Sequence, residues 1–515
     1  MRFLLSTGVL GLLSILLATG GSGAGAAPVS LQERIDRARP GDTVVVEGGT
    51  FDERITIDKP LVLEGRDWPV IDGGGEGDVV TITADEVTLS RFVVRNSGRA
   101  VSQEPAAVKV NGAHAATIQY NRIESSRFGI HITDSHHPVI AYNEIDVGDG
   151  IPQERRGHAI YLWEVDGGAV HANTITNAAD GIHLEFSDDN GIGENVVTGS
   201  RYAIHLMTSH NNRVLNNRFT DNLSGALLMF SDDLLIKGNE LSNNRDGATG
   251  AGMLIKDVDN IFAEGNVIQR NKYGISLEGT PNTIGATATF IRNTLALNDT
   301  GIGLFSNAPI TFVENAMIEN IVQVEALSGA LGLGAHVATP VSPPASTTAT
   351  DHSAHGGSGT VAAAGVPQEQ PVGPVWSLGG RGNYWSDYHG YDADGDGVGD
   401  RPYQPQPQFA GALSESPNLR LFQFTLAQQA LDMAADLFPV YRYDPVIEDA
   451  APLMSAPGPA LPDGEGRVNT PLLAVSVLLL TLAAAVVQTV LDFDPVGALI
   501  RRGKRAARGL NRGAA

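Results

Sequence analysis

Histidine and methionine recur at matching places in successive short segments of the pattern Gly-Ile-x-Leu-y, and their side chains together could bind a soft metal ion. The candidate ligands at the x and y places and in one following turn are His183, Glu185, His205, Met207, His210, Met229 and Met253. Imidazole and thioether groups suit Cu(I) when thiolates are absent, and the chain contains no cysteine. The alternative interpretation is structural, with methionine packed beneath a loop and histidine tolerated on a solvated sheet face.

A second group of possible metal ligands lies in an acidic turn further along the chain. Its carboxylates are Asp392, Asp394, Asp396 and Asp400. Their spacing is that of the first ligands of a calcium loop, with Gly397 at the sharp turn. The twelfth position is Tyr403 rather than glutamate, so the loop is not matched in full. A Ca²⁺ site and an acidic surface turn are both open interpretations.

A repeat that runs from Arg91 to about Asn320 must position the first group. Its marker residues are Asn121, Asn143, Asn173, Asn195, Asn217, Asn239, Asn266, Asn293 and Asn315. Their spacings are 22, 30, 22, 22, 22, 27, 27 and 22 residues, and the longer ones fit loop insertions. Apolar and polar residues alternate within runs of three to five residues that turn residues bound, which indicates short strands.

About 22 residues accommodate three short strands and three turns, so the repeat predicts one coil of a right-handed parallel β-helix. The asparagines would then stack into hydrogen-bonded ladders with a rise of about 4.8 Å per coil. A leucine-rich-repeat horseshoe is the main structural alternative, but the leucine pattern that it requires is absent from the sequence. The fold class is therefore all-β.

The solenoid would bring the candidate ligands together in space. Ile and Leu of each Gly-Ile-x-Leu-y segment point inward, so the x and y side chains point outward. Successive x places lie one above the other, and each y place lies about 7 Å further along the strand. We therefore expect the histidines and methionines to form one external patch, with the register of Met253 open by one residue.

A solenoid needs a cover at each end of its core. Ser30-Leu31-Gln32-Glu33 is a capping box, which predicts a short N-terminal helix ending near Ala38. At the other end we expect an aromatic cap around residues 384–388, with a partner-binding patch as the alternative. We also expect a helix over 419–436 that closes the core or meets a membrane partner. The domains are then a β-helix over 28–325, a low-complexity insertion over 326–375, a C-terminal cap over 376–450 and a linker over 451–469.

Both ends of the chain resemble targeting segments. Residues 1–27 combine an early arginine, an apolar run and a small-residue stretch, which predicts a secretory signal peptide. Residues 470–491 are apolar and long enough to span a bilayer as a helix. The basic tail over 492–515 predicts a cytoplasmic end, so the body would be periplasmic and anchored to the inner membrane. An uncleaved anchor and a buried core helix are the respective alternatives.

Charge and composition exclude several classes of function. The formal net charge is −23, which disfavours nucleic acid as a partner because phosphates would be repelled. The absence of cysteine excludes disulfides, thiolate catalysis and cysteine-held metal clusters. Since no Gly-x-x-x-x-Gly-Lys-Ser/Thr loop occurs, any ATP hydrolysis would take place on a partner.

Two blocks resemble known families. Residues 41–51 resemble the start of many pectin-lyase-like β-helices. Gly382-Asn383-Tyr384-Trp385-Ser386-Asp387-Tyr388, the Asp-rich turn and Pro402-Tyr403 are more specific. With the coils before it, this second block resembles the NosD family, periplasmic copper-maturation factors of nitrous oxide reductase. The resemblance covers roughly residues 28–445.

The resemblance implies a β-helix that is not itself an enzyme. It implies docking on an ABC transporter that consists of the ATPase NosF and the permease NosY. It further implies copper received from the lipoprotein NosL and delivered to nitrous oxide reductase.

Two other classes of protein use the same solenoid. A polysaccharide lyase, hydrolase or uronan epimerase would need acid and base groups together with a cation, for which the candidates are Glu185, Asp188, Asp189 and Arg201. The acidic chain would repel an acidic polysaccharide at long range. A surface-adhesion solenoid is the third possibility, and it predicts neither a metal nor a transporter partner.

Overall fold

The chain winds through three parallel sheets in a computed structural model that describes residues 29–148, 150–245, 250–306, 308–326, 373–405 and 447–461. Each coil contributes one strand to each sheet, and neighbours within a sheet are one coil apart in sequence. This architecture confirms the predicted all-β parallel β-helix. Ile182, for example, pairs with Ile160 of the preceding coil and Ile204 of the following one.

The described strands form three sheets of 12, 13 and 12 strands. Sheet 1 consists of Thr43–Val46, Val62–Gly65, Thr88–Ser90, Thr117–Gln119, Val139–Ala141, Ala169–His171, Gly191–Gly193, Arg213–Leu215, Leu235–Lys237, Ile261–Glu264, Ala288–Ile291 and Thr311–Val313. Sheet 2 consists of Thr50–Phe51, Val70–Asp72, Val93–Arg95, Arg122–Glu124, Glu144–Asp146, Thr174–Thr176, Val196–Thr198, Arg218–Thr220, Glu240–Ser242, Val267–Gln269, Thr294–Ala296, Ala316–Ile318 and Tyr384–Trp385. Sheet 3 consists of Ile55–Ile57, Val80–Ile82, Ala106–Asn111, Phe128–His136, Ile160–Asp166, Asp180–Glu185, Tyr202–Met207, Ser224–Met229, Ala251–Lys256, Tyr273–Glu278, Thr300–Phe305 and Val322–Ala326.

The asparagine ladder fixes the coils in register. Asn195 Oδ1 accepts hydrogen bonds from the amide and the side chain of Asn173, both at 3.0 Å. Its own Nδ2 donates to Asn217 Oδ1 at 3.0 Å, and the same exchange recurs along the solenoid. The ladder continues across the insertion, because Asn315 donates to Asn383 Oδ1 at 2.9 Å. Because each coil contributes one asparagine to the ladder, equivalent side chains of successive coils lie side by side.

The sequence did not reveal a second ladder that runs parallel to the first. Its rungs are Asn222, Asn244, Asn271, Asn298 and Asn320. These asparagines follow the sheet 2 strands, whereas the predicted markers precede them. Two buried ladders therefore hold the solenoid at two of its bends, and both supply partners for turn amides that would otherwise be buried without one.

Both ends of the apolar core are covered. The N-terminal helix spans Leu31–Arg37, and the Ser30 hydroxyl accepts a hydrogen bond from the Glu33 amide at 3.1 Å, as the capping box predicts. Leu31 and Ile35 of this helix are fully buried. At the other end, Trp385 stacks on Tyr403 with ring centroids 4.3 Å apart, and its indole nitrogen donates to Asp449. Short 3₁₀ turns lie at Val101–Gln103 and Gln153–Arg155.

Several predicted segments lie outside the described residues. They are the signal peptide over 1–27, most of the insertion over 326–375, the helix over 419–436, the membrane span over 470–491 and the tail over 492–515. Val375, at the end of the predicted insertion, is described and bridges to Thr311. Within the described ranges, none of the helices has the length and hydrophobicity needed to cross a bilayer.

Candidate metal centre

Sheet 3 carries the predicted ligands on adjacent strands. His183 pairs with His205, and Glu185 pairs with Met207, which in turn pairs with Met229. Their neighbours along the strands, such as Leu184 and Leu206, are fully buried in the core. Because side chains alternate along a strand, the ligand candidates lie on the outer face. The two imidazole rings stack in parallel, with centroids 4.4 Å apart.

Met253 does not belong to this face, so its predicted place in the patch is wrong. It pairs with Ala226 and Ile275, and its side chain is fully buried in the core. The outward places of its strand are occupied by Leu254 and Lys256 instead. Gly252 takes the Gly place of this segment, so Met253 stands at the inward place of the pattern and the predicted register was one residue out. A one-residue shift moves every side chain of a strand to the opposite face.

His210 is likewise not brought into the cluster. Its Nδ1 accepts a hydrogen bond from the Asp232 amide at 3.1 Å, and its own amide donates to Asp188 at 2.6 Å. These contacts hold His210 in the turn beyond sheet 3, where its ring nitrogen joins the turns of two successive coils by a hydrogen bond.

The two central imidazoles are covered rather than exposed, in contrast to the predicted external patch. His183 is 7% exposed and His205 is 9% exposed, whereas Met207 and Met229 are half-buried. The Tyr161 ring stacks on His183 with centroids 4.9 Å apart. The His158 ring meets the His183 ring edge-on, with centroids 4.8 Å apart. His158 stands two residues before Ile160, at the place that Asp180 takes one coil later, so the coil before His183 supplies part of the cover.

Two residues of the centre were missed by the sequence analysis, namely His158 and Asp180. Asp180 is fully buried, and its carboxylate accepts hydrogen bonds from Arg201 at 2.8 and 3.0 Å and from His205 Nδ1 at 3.0 Å. Both missed residues stand two places before the first Ile of the repeated segment, one coil apart. Extending the repeat pattern upstream by two residues would have found them.

Asp180 is ionised in spite of its burial. Burial alone would raise its pKa, but the hydrogen bond from His205 and the positive charge of Arg201 hold the pKa of this carboxyl well below its usual range. A buried anion with these partners forms a fixed negative point beside the imidazoles.

His158 and His183, which lie beside Asp180, are neutral at neutral pH. Burial and the nearby His158 and His205 lower the pKa of His183 to about 2. Burial also lowers the pKa of His158 to about 4, with Asp180 opposing the shift and Arg201 adding to it. A neutral imidazole has a lone pair that a metal ion can use. Both ring nitrogens of His183, Nδ1 of His158 and Nε2 of His205 are buried without a hydrogen-bond partner.

Glu185 and Arg201, two of the residues considered for carbohydrate chemistry, already have partners. The Tyr161 hydroxyl donates to Glu185 at 2.7 Å. Burial and this carboxylate raise the pKa of Tyr161 well above its usual value, so the phenol keeps its proton. Arg201 is bound to Asp180 through two guanidinium nitrogens. The cation that would offset a uronate charge is therefore committed to an internal ion pair.

The Asp-rich turn brings three of its four carboxylates together. Oxygens of Asp392, Asp394 and Asp396 lie within 4.8 Å of one another. Asp392 accepts hydrogen bonds from the amides of Gly395 and Gly397, which lower its pKa. Asp400 accepts from the Ala393 amide at 2.7 Å. These bonds are those of a self-stabilised turn, and Ca²⁺ binding stays a prediction.

Comparison with known proteins matches the chain to one family and to two curated relatives. A family model described as "NosD: Periplasmic copper-binding protein" matches residues 141–332. The chain is 30% identical over 420 residues to a "Probable ABC transporter binding protein NosD" of Pseudomonas aeruginosa, covering 79% of this chain and 87% of that protein. It is 31% identical over 419 residues to the protein of the same name from Stutzerimonas stutzeri, covering 79% and 86%.

Similar solved structures are more distant. The A-module of mannuronan C-5 epimerase AlgE6 of Azotobacter vinelandii has a TM-score of 0.44 and 14% identity, covering 56% of this chain and 87% of that chain. The catalytic domain of a GH87 α-1,3-glucanase has a TM-score of 0.42 and 12% identity, covering 58% and 65%. Similarity at this level carries no statement about activity.

Proposed function

The chain belongs to the NosD family, and we propose that it is a periplasmic copper-binding protein that works with an ABC transporter. Its cargo would be copper destined for nitrous oxide reductase, received from NosL and exchanged while docked on NosF and NosY. The description of the matching family supports a copper-binding protein, and the names of the two relatives support a transporter partner. The finer roles rest on the family resemblance.

The observation that carries the copper proposal is the pairing of Met207 with Met229 on the outer face of sheet 3. Paired residues on neighbouring strands have Cβ atoms about 5 Å apart, so one ion can contact both thioethers. Glu185 pairs with Met207 from the preceding strand. His183 and His205 form the neighbouring pair, two residues earlier on the same two strands. Thioether and imidazole ligands side by side suit Cu(I).

The other described methionines are poor alternatives as a paired site. Met253 and Met317 are fully buried in the core. Met454 is 39% exposed but lies alone in the C-terminal region. Met207 and Met229 are therefore the described thioethers that are both paired and accessible, and Met454 provides a matched control.

The proposed location follows from the family and from the sequence. We propose that residues 1–27 direct export and that residues 470–491 anchor the protein to the inner membrane. An anchor would keep the solenoid beside its membrane partner and raise the effective concentration of each for the other.

A Cu(I) competition titration of the full chain against a chromogenic chelator tests the binding step. The double variant M207L/M229L keeps side-chain volume and removes both sulfurs. We expect its Cu(I) affinity to fall at least about tenfold, as loss of ligand-sphere groups typically does, while M454L binds like the wild type. Equal affinity in the double variant and M454L would remove this site.

The delivery step is tested in cells that make nitrous oxide reductase. Without this gene the purified reductase should lack copper, and M207L/M229L should restore less copper than M454L at equal protein level. Full copper loading of the reductase in the deletion strain would contradict the proposed function.

A further inference from the structure

The structure assigns a second metal site, buried beside the thioether pair, in which His158 Nδ1, His183 Nδ1 and Asp180 Oδ2 hold a divalent transition-metal ion. We name this group the imidazole pocket. It differs from the surface thioether pair in depth and in ligand type, and it does not depend on copper binding by that pair.

The three donor atoms are spaced like ligands of one ion. Asp180 Oδ2 lies 3.4 Å from His158 Nδ1 and 3.8 Å from His183 Nδ1, and all three donors lie within 4.8 Å of one another. Metal bonds of 2.0–2.2 Å place neighbouring ligand atoms of a tetrahedral site about 3.3 Å apart. Small side-chain adjustments would therefore close the pocket around an ion.

The ring nitrogens of the pocket have no other use. His183 is 93% buried, and neither of its ring nitrogens has a hydrogen-bond partner, nor does His158 Nδ1. A buried polar atom without a partner costs free energy, and structural histidines normally avoid that cost by hydrogen bonding. A bound ion supplies the missing partner for both imidazoles at once.

Hydrogen bonds from Arg201 and His205 fix the orientation of the Asp180 carboxylate. Arg201 donates two hydrogen bonds to Asp180 Oδ1 and one to Oδ2, and His205 Nδ1 donates to Oδ2 at 3.0 Å. Outer partners of this kind orient a ligating carboxylate and are a regular feature of metal sites. His205 is thus a positioning residue here, because its ring lies parallel to that of His183 and is turned toward Asp180 rather than toward a shared ion.

The ligand set selects the metal. Two imidazoles and a carboxylate are borderline-to-hard donors that suit divalent copper or zinc, whereas the thioethers outside suit Cu(I). Among divalent first-row ions, Cu²⁺ binds nitrogen and oxygen sites most tightly, so Cu²⁺ is the probe of choice. The face then offers two neighbouring sites that differ in the oxidation state they favour.

Electron paramagnetic resonance of the full chain with one equivalent of Cu²⁺, in the presence of glycine as a competitor, tests the pocket. Pulsed spectra of the wild type should show two coordinated imidazoles. H158Q should lose one of them and weaken Cu²⁺ binding at least about tenfold. The matched control H136Q removes a surface imidazole that is 53% exposed and should change neither reading.

Wild-type spectra with fewer than two imidazoles, or unchanged spectra in H158Q, would overturn the inference. If H158Q fails to fold, H183Q and the imidazole count of the wild type decide instead. M207L/M229L should keep the Cu²⁺ signal while losing Cu(I), so failure of the pocket and failure of the thioether pair give different results.

Discussion

Substitution of the buried Asn195 tests whether the asparagine ladder keeps the strands that carry the candidate ligands in register. Its amide group accepts two hydrogen bonds from Asn173 and donates to Asn217 Oδ1 and to the Val170 carbonyl, all at 2.9–3.0 Å. Asn195→Ala removes all four bonds within a fully buried site.

The expected loss of unfolding free energy follows from the hydrogen bonds that Asn195 makes and from the partner groups that the substitution leaves unpaired. The Asn173 amide loses its ladder acceptor, and a buried donor without a partner costs about 1–3 kcal/mol. Loss of the two bonds that Asn195 donates adds about 0.5–1.5 kcal/mol each. We therefore expect the free energy of unfolding to fall by about 2–6 kcal/mol.

Urea denaturation followed by circular dichroism measures this change. Asn282→Ala is the matched control, because Asn282 is exposed and lies outside both ladders, so its cost should stay within about 0.5 kcal/mol. A loss in Asn195→Ala no larger than that of the control would refute the view that the ladder stabilises the register.

Three further predictions concern register, pH and the C-terminal cap. Met253→Gln buries an amide in the core and should lower the free energy of unfolding, measured by urea denaturation, by about 1–3 kcal/mol. Met229→Gln on the outer face should lower it by less than about 0.5 kcal/mol. Equal losses in the two variants would contradict the corrected register. Burial lowers the pKa of His131 from 6.5 to about 4, so its unfolded form binds more protons between these values. The stability that neutral His131 contributes is complete above pH 6.5 and is lost as pH falls toward 4, which amounts to about 1–2 kcal/mol at pH 5. H131F should therefore lose less stability between pH 7 and pH 5 than the wild type, and an equal loss would speak against a buried neutral His131. Asp449→Ala leaves the Asn383 amide and the Trp385 indole without an acceptor and should cost about 2–6 kcal/mol, seen as an earlier urea midpoint and a shifted tryptophan emission; an unchanged midpoint would remove Asp449 from the cap.

The repeat made much of this arrangement predictable. A 22-residue period with alternating strands fixes which side chains of neighbouring coils meet, and His183, His205, Met207 and Met229 lie where it places them. The prediction failed at Met253 because its segment was aligned one residue out of register: the coil that contains it is 27 rather than 22 residues long, and spacing alone does not locate an insertion within a coil.

The periodicity of the sequence could not predict how deeply the histidines of the metal centre are buried. Alternation assigns His183 to the outer face but carries no information about what covers that face. Here the cover comes from Tyr161 and His158, both of the coil that precedes His183. Asp180 was missed for a related reason, since it stands upstream of the segment that defines the repeat.

X-ray absorption at the copper edge of the full chain, loaded with one equivalent of Cu(I), tests the central claim most directly. Because the chain has no cysteine, any sulfur bound to copper must come from methionine. Copper on the outer face of sheet 3 predicts sulfur scattering that disappears in M207L/M229L and persists in M454L. Wild-type copper without sulfur neighbours, or sulfur scattering that survives in the double variant, would contradict the account.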